Sequence, residues 1–283
     1  MKINHSCKKD VGNMKVVIAY HSGVGSTKLI AEIYAQLLFE VANVTLLNIH
    51  SNNATLPVAD YYIFAFPTYH CDVSKSMRSF LVTIERFEDK KKAFVFTTCG
   101  LYSANTNRIV IKEINKYNIV VGKSSCYRSP ATDGILLFPK IKFQQNYSNN
   151  LASQIKTDIE WIKYDMKDEN VLNNIPRFKL FSIFNYPNKM IAKHYYHPTI
   201  YINEEKCIHC HKCVQQCHNQ SIGLAEENHL MYDKNNCEHC YRCIHQCPKG
   251  ALSLKKGKSH PIIFTDAFFE NKKHEILEQM KSM

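Results

Sequence analysis

Short apolar runs alternate with longer stretches of helical periodicity from residue 14 to about 164. The runs predict strands at 14–20, 44–49, 61–66, 93–97 and 119–124, and their near-continuous apolar character suits strands covered on both faces. The intervening pattern predicts helices at 27–40, 73–87 and 103–116, with a last one at 151–164. Five strands joined by helical crossovers make a doubly wound α/β domain with a five-stranded parallel sheet, and such folds place ligands beyond the carboxyl ends of the strands. The loops that matter are therefore 21–27, 67–72 and 98–103.

The rest of the chain divides around that domain. Residues 1–13 are an N-terminal extension. Residues 165–198 lose any clean period and carry Asn, Pro, Lys and many aromatics (Phe178, Phe181, Phe184, Tyr186, Tyr195, Tyr196), which reads as a linker that packs. Residues 199–256 hold an internal repeat, in which Cys207, Cys210, Cys213 and Cys217 recur thirty residues on as Cys237, Cys240, Cys243 and Cys247. The tail, 257–283, ends in a charged, helix-like stretch to which the sequence assigns no role. A length of 283 residues suits one medium domain with one small one. The longest apolar runs, 16–20 and 61–66, fall far short of the roughly 18 residues of a membrane span. The lysine-bearing start lacks the apolar segment of a secretory signal, so a cytoplasmic location is expected.

Eight of the twelve cysteines lie in the repeat, and with no export signal ahead of them metal or cluster ligation is a better reading than disulfides. Each copy reads C-x-x-C-x-x-C-x-x-x-C, and the second runs on into Pro248. Soft thiolate ligands select iron–sulfur or zinc. Zinc is the rival, but its sites need two separated pairs and leave no reason for the third and fourth cysteine of each run. The block resembles the two-cluster bacterial ferredoxins, a small α+β fold. The resemblance implies that Cys207, Cys210, Cys213 and Cys247 hold one [4Fe-4S] cluster, and that Cys237, Cys240, Cys243 and Cys217 hold the other. His218 departs from the family by standing where a proline usually follows Cys217. The loops also carry His209, His211, Lys212, His239, Tyr241 and Arg242. These are read either as solvated side chains or as cationic groups that raise cluster potentials and dock an acidic redox partner.

The first strand ends in Tyr20-His21-Ser22-Gly23-Val24-Gly25-Ser26-Thr27 and then enters a helix. Small residues and hydroxyls at such a turn let backbone N–H groups and the helix N-terminus surround a phosphate. No G-x-x-x-x-G-K-[ST] and no G-x-G-x-x-G is present, which disfavours an ATP P-loop and an integral NAD site. Tyr20, Ser22, Gly25 and Thr27 match the first-loop pattern of flavodoxins, and the domain resembles that family. Ala19 and Val24 depart from it, which implies a weaker hold on FMN. The resemblance makes Pro67, Thr68, Tyr69 and His70 after the third strand, and Thr98, Cys99, Gly100 and Tyr102 after the fourth, the grip on the isoalloxazine ring, with Tyr69 and Tyr102 as the stacking aromatics. Cys71 and Cys99 are not spaced as metal ligands and are read as loop cysteines without a redox role. Residues 127–134, with Pro130 and Asp133, form a further loop over the site.

A net charge of +11 invites a nucleic-acid partner. Two clusters with their thiolates and one flavin phosphate, at about −2 each, bring the loaded protein to about +5, so the basicity partly serves the cofactors. The whole order resembles the flavodoxin–ferredoxin fusion proteins of anaerobes, the EFR-type ferrodoxins, which implies electron transfer between FMN, two [4Fe-4S] clusters and external redox proteins. A flavin takes two electrons and releases them singly, whereas each cluster handles one. The alternatives are an FMN-dependent reductase of a quinone, a nitro compound or oxygen, and a zinc-stabilised nucleic-acid-binding module, for which no recognisable motif is present.

Overall fold

A computed structural model describes residues 14–50, 54–183, 199–254 and 264–283. The apolar runs form β1 (Lys15–Tyr20), β2 (Asn43–Asn48), β3 (Tyr61–Tyr69), β5 (Lys91–Cys99) and β6 (Ile119–Arg128). They lie in the order β2-β1-β3-β5-β6, all parallel. Counting these five strands in chain order gives 2-1-3-4-5, the flavodoxin-like arrangement. Val16, Ile18, Ile63, Phe94 and Phe96 face one core, under α1 (Ser26–Leu38) and α5 (Leu151–Lys167). The alternate residues Val17, Ala19, Tyr62, Phe64 and Val95 face the other, under α2 (Lys75–Leu81) and α3 (Thr106–Ile114). β2 departs from the expectation of two covered faces. It is an edge strand, and Thr45 and Leu46 are exposed.

Buried polar bonds tie α5 to the sheet. Tyr127 on β6 donates to Asp158 at 2.5 Å, and Tyr61 on β3 donates to Asp165 at 2.8 Å. Burial and the adjoining carboxylates push both phenols well up, so each remains a donor.

The helix expected over 73–87 is shorter, for two local reasons. Asp72–Val73 folds back on the end of β3 as a short antiparallel strand, β4. After Leu81 the Thr83 hydroxyl donates to the Phe80 carbonyl at 2.8 Å, competing with helix continuation, and Ile84 is buried from irregular backbone. The residues expected as a loop over the site contain a short helix, α4 (Thr132–Leu137).

The cysteine block is two similar units back to back. β7 (Tyr201–Ile202) pairs with β10 (Leu252–Ser253), β8 (Ile222–Leu224) pairs with β9 (Leu230–Tyr232), and each cysteine run carries one turn of helix, α6 (Lys212–Gln215) or α7 (Arg242–His245). Its core is small, built from Ile200, Ile222, Leu230, Tyr241, Ile244 and Leu252. Domains of this size ordinarily need a covalent or metal staple.

The tail forms α8 (Asp266–Lys281), capped by the Thr265 hydroxyl accepting from Phe268 N at 3.2 Å. α8 returns to the first domain, where Ile276 and Met280 join the core beneath α1 and α5 and Lys273 meets Glu32 at 3.4 Å. Of the linker aromatics, Phe178 and Phe181 are exposed, while Phe184, Tyr186, Tyr195 and Tyr196 lie outside the described residues. Among the described residues, no helix is long and apolar enough to cross a membrane.

Candidate functional site

The carboxyl ends of β1, β3 and β5 converge on a cleft, open to solvent, of about 530 Å³. Its lining includes Ser22, Gly23, Val24, Ser26 and Thr27 from the first loop, Pro67, Thr68, Tyr69 and His70 from the second, and Thr98, Cys99 and Gly100 from the third. Ser129, Pro130, Ala131, Thr132 and Asp133 close one side, from the segment expected to lie over the site. Two predicted residues sit elsewhere. Gly25 lies behind the cavity at φ +150°, where a Cβ would stand 2.4 Å from the Phe269 ring of α8. Tyr102 turns to the linker, its hydroxyl 3.0 Å from Ser182 Oγ and Lys179 lying 5.5 Å from its ring centre.

The first loop fits a phosphate. Ser22 is buried, and its hydroxyl has no hydrogen-bond partner among the described residues, which is costly unless a polar guest supplies one. The N-terminus of α1 starts at Ser26, offering free N–H groups to an anion. Behind it the hydroxyls interlock, Thr27 with Thr98 at 2.8 Å and Thr68 with Thr97 at 2.9 Å. Gly100 is required by packing, since a Cβ there would lie 2.5 Å from Ala131 Cβ.

One wall of this cavity belongs to the cysteine block, which sequence reasoning did not foresee. His239, between Cys237 and Cys240, is buried and lines the cavity, its ring centre 5.6 Å from that of His70. Tyr69 is wedged between the loop and the block: a Cβ added to Gly23 would fall 2.0 Å from the Tyr69 hydroxyl and 2.7 Å from Cys240 Cβ. Burial pushes the Tyr69 phenol well up, so it stays protonated.

A buried polar seam holds the two parts together. Glu238 accepts from Ser76 N at 3.2 Å and from Ser76 Oγ at 3.1 Å, and meets His21 Nε2 at 2.7 Å. Burial alone would raise the Glu238 carboxyl, but the charge and hydrogen bond of His21 and the bonds from Ser76 bring it down to about 2. Lys75 Nζ donates to the carbonyls of Asn235 at 3.0 Å and Cys237 at 3.3 Å. His50 Nε2 is 2.5 Å from His21 Nδ1, and its ring stacks on His218 with centres 3.9 Å apart. Burial, then the neighbouring His21 and His218, lowers His50 to about 3; burial, then Arg242, lowers His218 to about 4. His218, the departure after Cys217, is thus a contact residue of the seam.

The eight repeat cysteines line two further cavities. Cys207, Cys210, Cys213 and Cys247 surround about 330 Å³. Cys217, Cys237, Cys240 and Cys243 surround about 440 Å³, with Cys213 at the boundary. Backbone N–H groups donate to three of the sulfurs, Ser221 to Cys217 and Ala251 to Cys247 at 3.2 Å and His239 to Cys237 at 3.3 Å. Burial pushes the Cys213 thiol up to about 11 and those of Cys237, Cys240 and Cys243 up as well. Such thiols ionise when a metal supplies the compensating charge, so the donor set fits thiolate ligation.

The model of the 4Fe-4S dicluster domain family matches residues 200–254. Among solved structures, the chain is similar to a flavodoxin from the domain Archaea (14% identity, TM-score 0.39, covering 55% of this chain and 100% of that one). It is also similar to the rubredoxin oxygen:oxidoreductase of the anaerobe Desulfovibrio gigas (17% identity, TM-score 0.41, covering 56% of this chain and 37% of that one). A third is the two-electron reduced flavodoxin of Megasphaera elsdenii (19% identity, TM-score 0.34, covering 39% of this chain and 84% of that one). No curated protein sequence matches the chain. The chain therefore joins a flavodoxin-like α/β domain to a 4Fe-4S dicluster domain.

Proposed function

We propose that this chain is an electron-transfer protein that holds FMN in the cavity at the ends of β1, β3 and β5 and two [4Fe-4S] clusters in the cysteine block. One observation carries the reading: inside the second cysteine run, His239 lines the cavity at the ends of β1, β3 and β5, and Cys240 packs against Gly23 of its first loop. Cys217, Cys237, Cys240 and Cys243 would hold the cluster nearer the cavity, and Cys207, Cys210, Cys213 and Cys247 the one nearer solvent. The flavin supplies the exchange between two-electron and one-electron chemistry. Ser22 and the α1 N-terminus bind its phosphate, the loops at 67–70 and 98–100 orient its ring, and the segment at 129–133 with His239 excludes water from one side. The Glu238 seam fixes the distance between the two centres. The external partner is an acidic redox protein, received at the outer run where Lys206, Lys212 and Lys249 are exposed.

Anaerobic purification tests this directly. The expected protein is yellow-brown, releases one FMN per chain on heating and carries about eight iron atoms. A colourless or zinc-loaded protein after oxygen-free handling overturns it.

A further inference from the structure

Outside the cluster repeat, the structure brings together two cysteines that lie on different strands. Cys99 ends β5 and lines the cavity, and Cys126 lies on the adjacent β6. Cys126 stands opposite Thr97, two residues before Cys99, so both side chains leave the sheet on the same face. Their Sγ atoms are 3.2 Å apart.

The surroundings favour one thiolate and one thiol. The hydrogen bond from Cys99 lowers Cys126 to about 7 against the opposing effect of burial, with help from a Ser103 hydrogen bond and the Lys179 charge. The same contact and burial push Cys99 far up. Lys179 is anchored for this task, its backbone N donating to Asn105 Oδ1 at 2.8 Å and its Nζ lying 3.5 Å from Ser103 Oγ. Cys126 is partly exposed, whereas Cys99 is buried. An accessible nucleophile beside a buried thiol is the arrangement that thiol–disulfide exchange requires.

We propose that Cys99, on the wall of the cavity, and Cys126 behind it are a redox-active dithiol, closing reversibly to a disulfide in exchange with low-molecular-weight disulfides. The Cys126 thiolate attacks one sulfur of the external disulfide and expels a thiolate, which takes a proton from water. Cys99 then gives up its proton and attacks Cys126 Sγ, expelling the second small thiol. Two protein thiols are oxidised, one external disulfide is reduced to two thiols, and the reverse sequence reopens the bridge. Closure ties the loop after β5 to β6. Any effect of that tie on FMN rests on the reading above; the dithiol itself does not.

The test is an anaerobic titration of the holoprotein in glutathione buffers of graded redox ratio, followed by alkylation, digestion and mass spectrometry. The expected result is a Cys99–Cys126 disulfide peptide that appears as the buffer becomes oxidising, vanishes when it is reversed, and forms with the iron content unchanged. It should persist in Cys71→Ser and be lost in Cys126→Ser. Three outcomes overturn the proposal: both cysteines alkylated at every ratio, a bridge that recruits Cys71, or a bridge that forms only as iron is lost. The wild-type peptide map decides these even if the Cys126 variant fails to fold. A protein without FMN that still closes the bridge would sink the flavin reading and leave this one intact.

Discussion

The two copies of the cysteine run share one spacing and have opposite surroundings. In the first, Cys210, His209 and Lys212 are exposed; in the second, His239 and Tyr241 are buried against the flavodoxin-like domain. The residue after the leading cysteine marks the contrast most sharply. Ile208 is apolar and 54% exposed, whereas Glu238 is charged and 8% exposed. Polarity alone would have put them the other way round. Glu238 tolerates burial because His21 and Ser76 satisfy it, and Ile208 stands in water beside Cys210. A duplicated motif thus yields one copy turned inward and one turned outward, and the neighbours in space decide which is which.

The strongest way to break this contrast is to remove one ligand from each copy. Cys240→Ser and Cys210→Ser should each lower iron from about eight to about four atoms. Flash photolysis should then show flavin-to-cluster transfer lost in Cys240→Ser and retained in Cys210→Ser; equal behaviour would mean that the copies are functionally equivalent. A smaller effect is expected from Gly23→Ala, where the new methyl group meets Tyr69 and Cys240. Overpacking of about 1–3 kcal/mol, taken up at the cavity, should weaken FMN binding by roughly 5- to 150-fold, read by flavin titration, with iron unchanged.

The smallest effect sharpens the seam itself. His50 in the folded protein lies at about 3, below its ordinary 6.5, so the unfolded chain takes up a proton that the folded one refuses. Stability should therefore fall as pH drops below about 6.5 and go on falling towards 3. The melting temperature measured from pH 7.5 to 5.5 should decline, and His50→Phe should flatten that slope. A slope unchanged by the substitution would remove His50 from the account.

Much of this arrangement was legible in the sequence because it depends on local pattern. The five strands appear where β-branched and aromatic runs put them, and the thirty-residue cysteine repeat marks out the second unit. Gly25 and Thr27 read as a phosphate loop because a strand-to-helix turn needs such residues. The seam was not legible. His21, His50, Ser76 and Glu238 are unremarkable singly and up to 217 positions apart, and only the docking of two domains gives them a common purpose. Tyr102 follows a strand end as a flavin contact would, but Ser182 and Lys179 from a distant segment draw it away from the cavity. Cys126 gives no signal in the sequence, because neighbouring strands, and not spacing along the chain, bring it to Cys99.

The return of α8 to the first domain changes what kind of joint connects the two modules. The iron–sulfur block leaves the flavodoxin-like domain after α5 and re-enters it at α8, so it is held like a handle fixed at both ends. With α8 packed on the first domain, a single cut in the chain between α5 and β7 should leave the fragments associated. Traffic between the centres would then follow the rigidity of that mounting rather than the length of any tether.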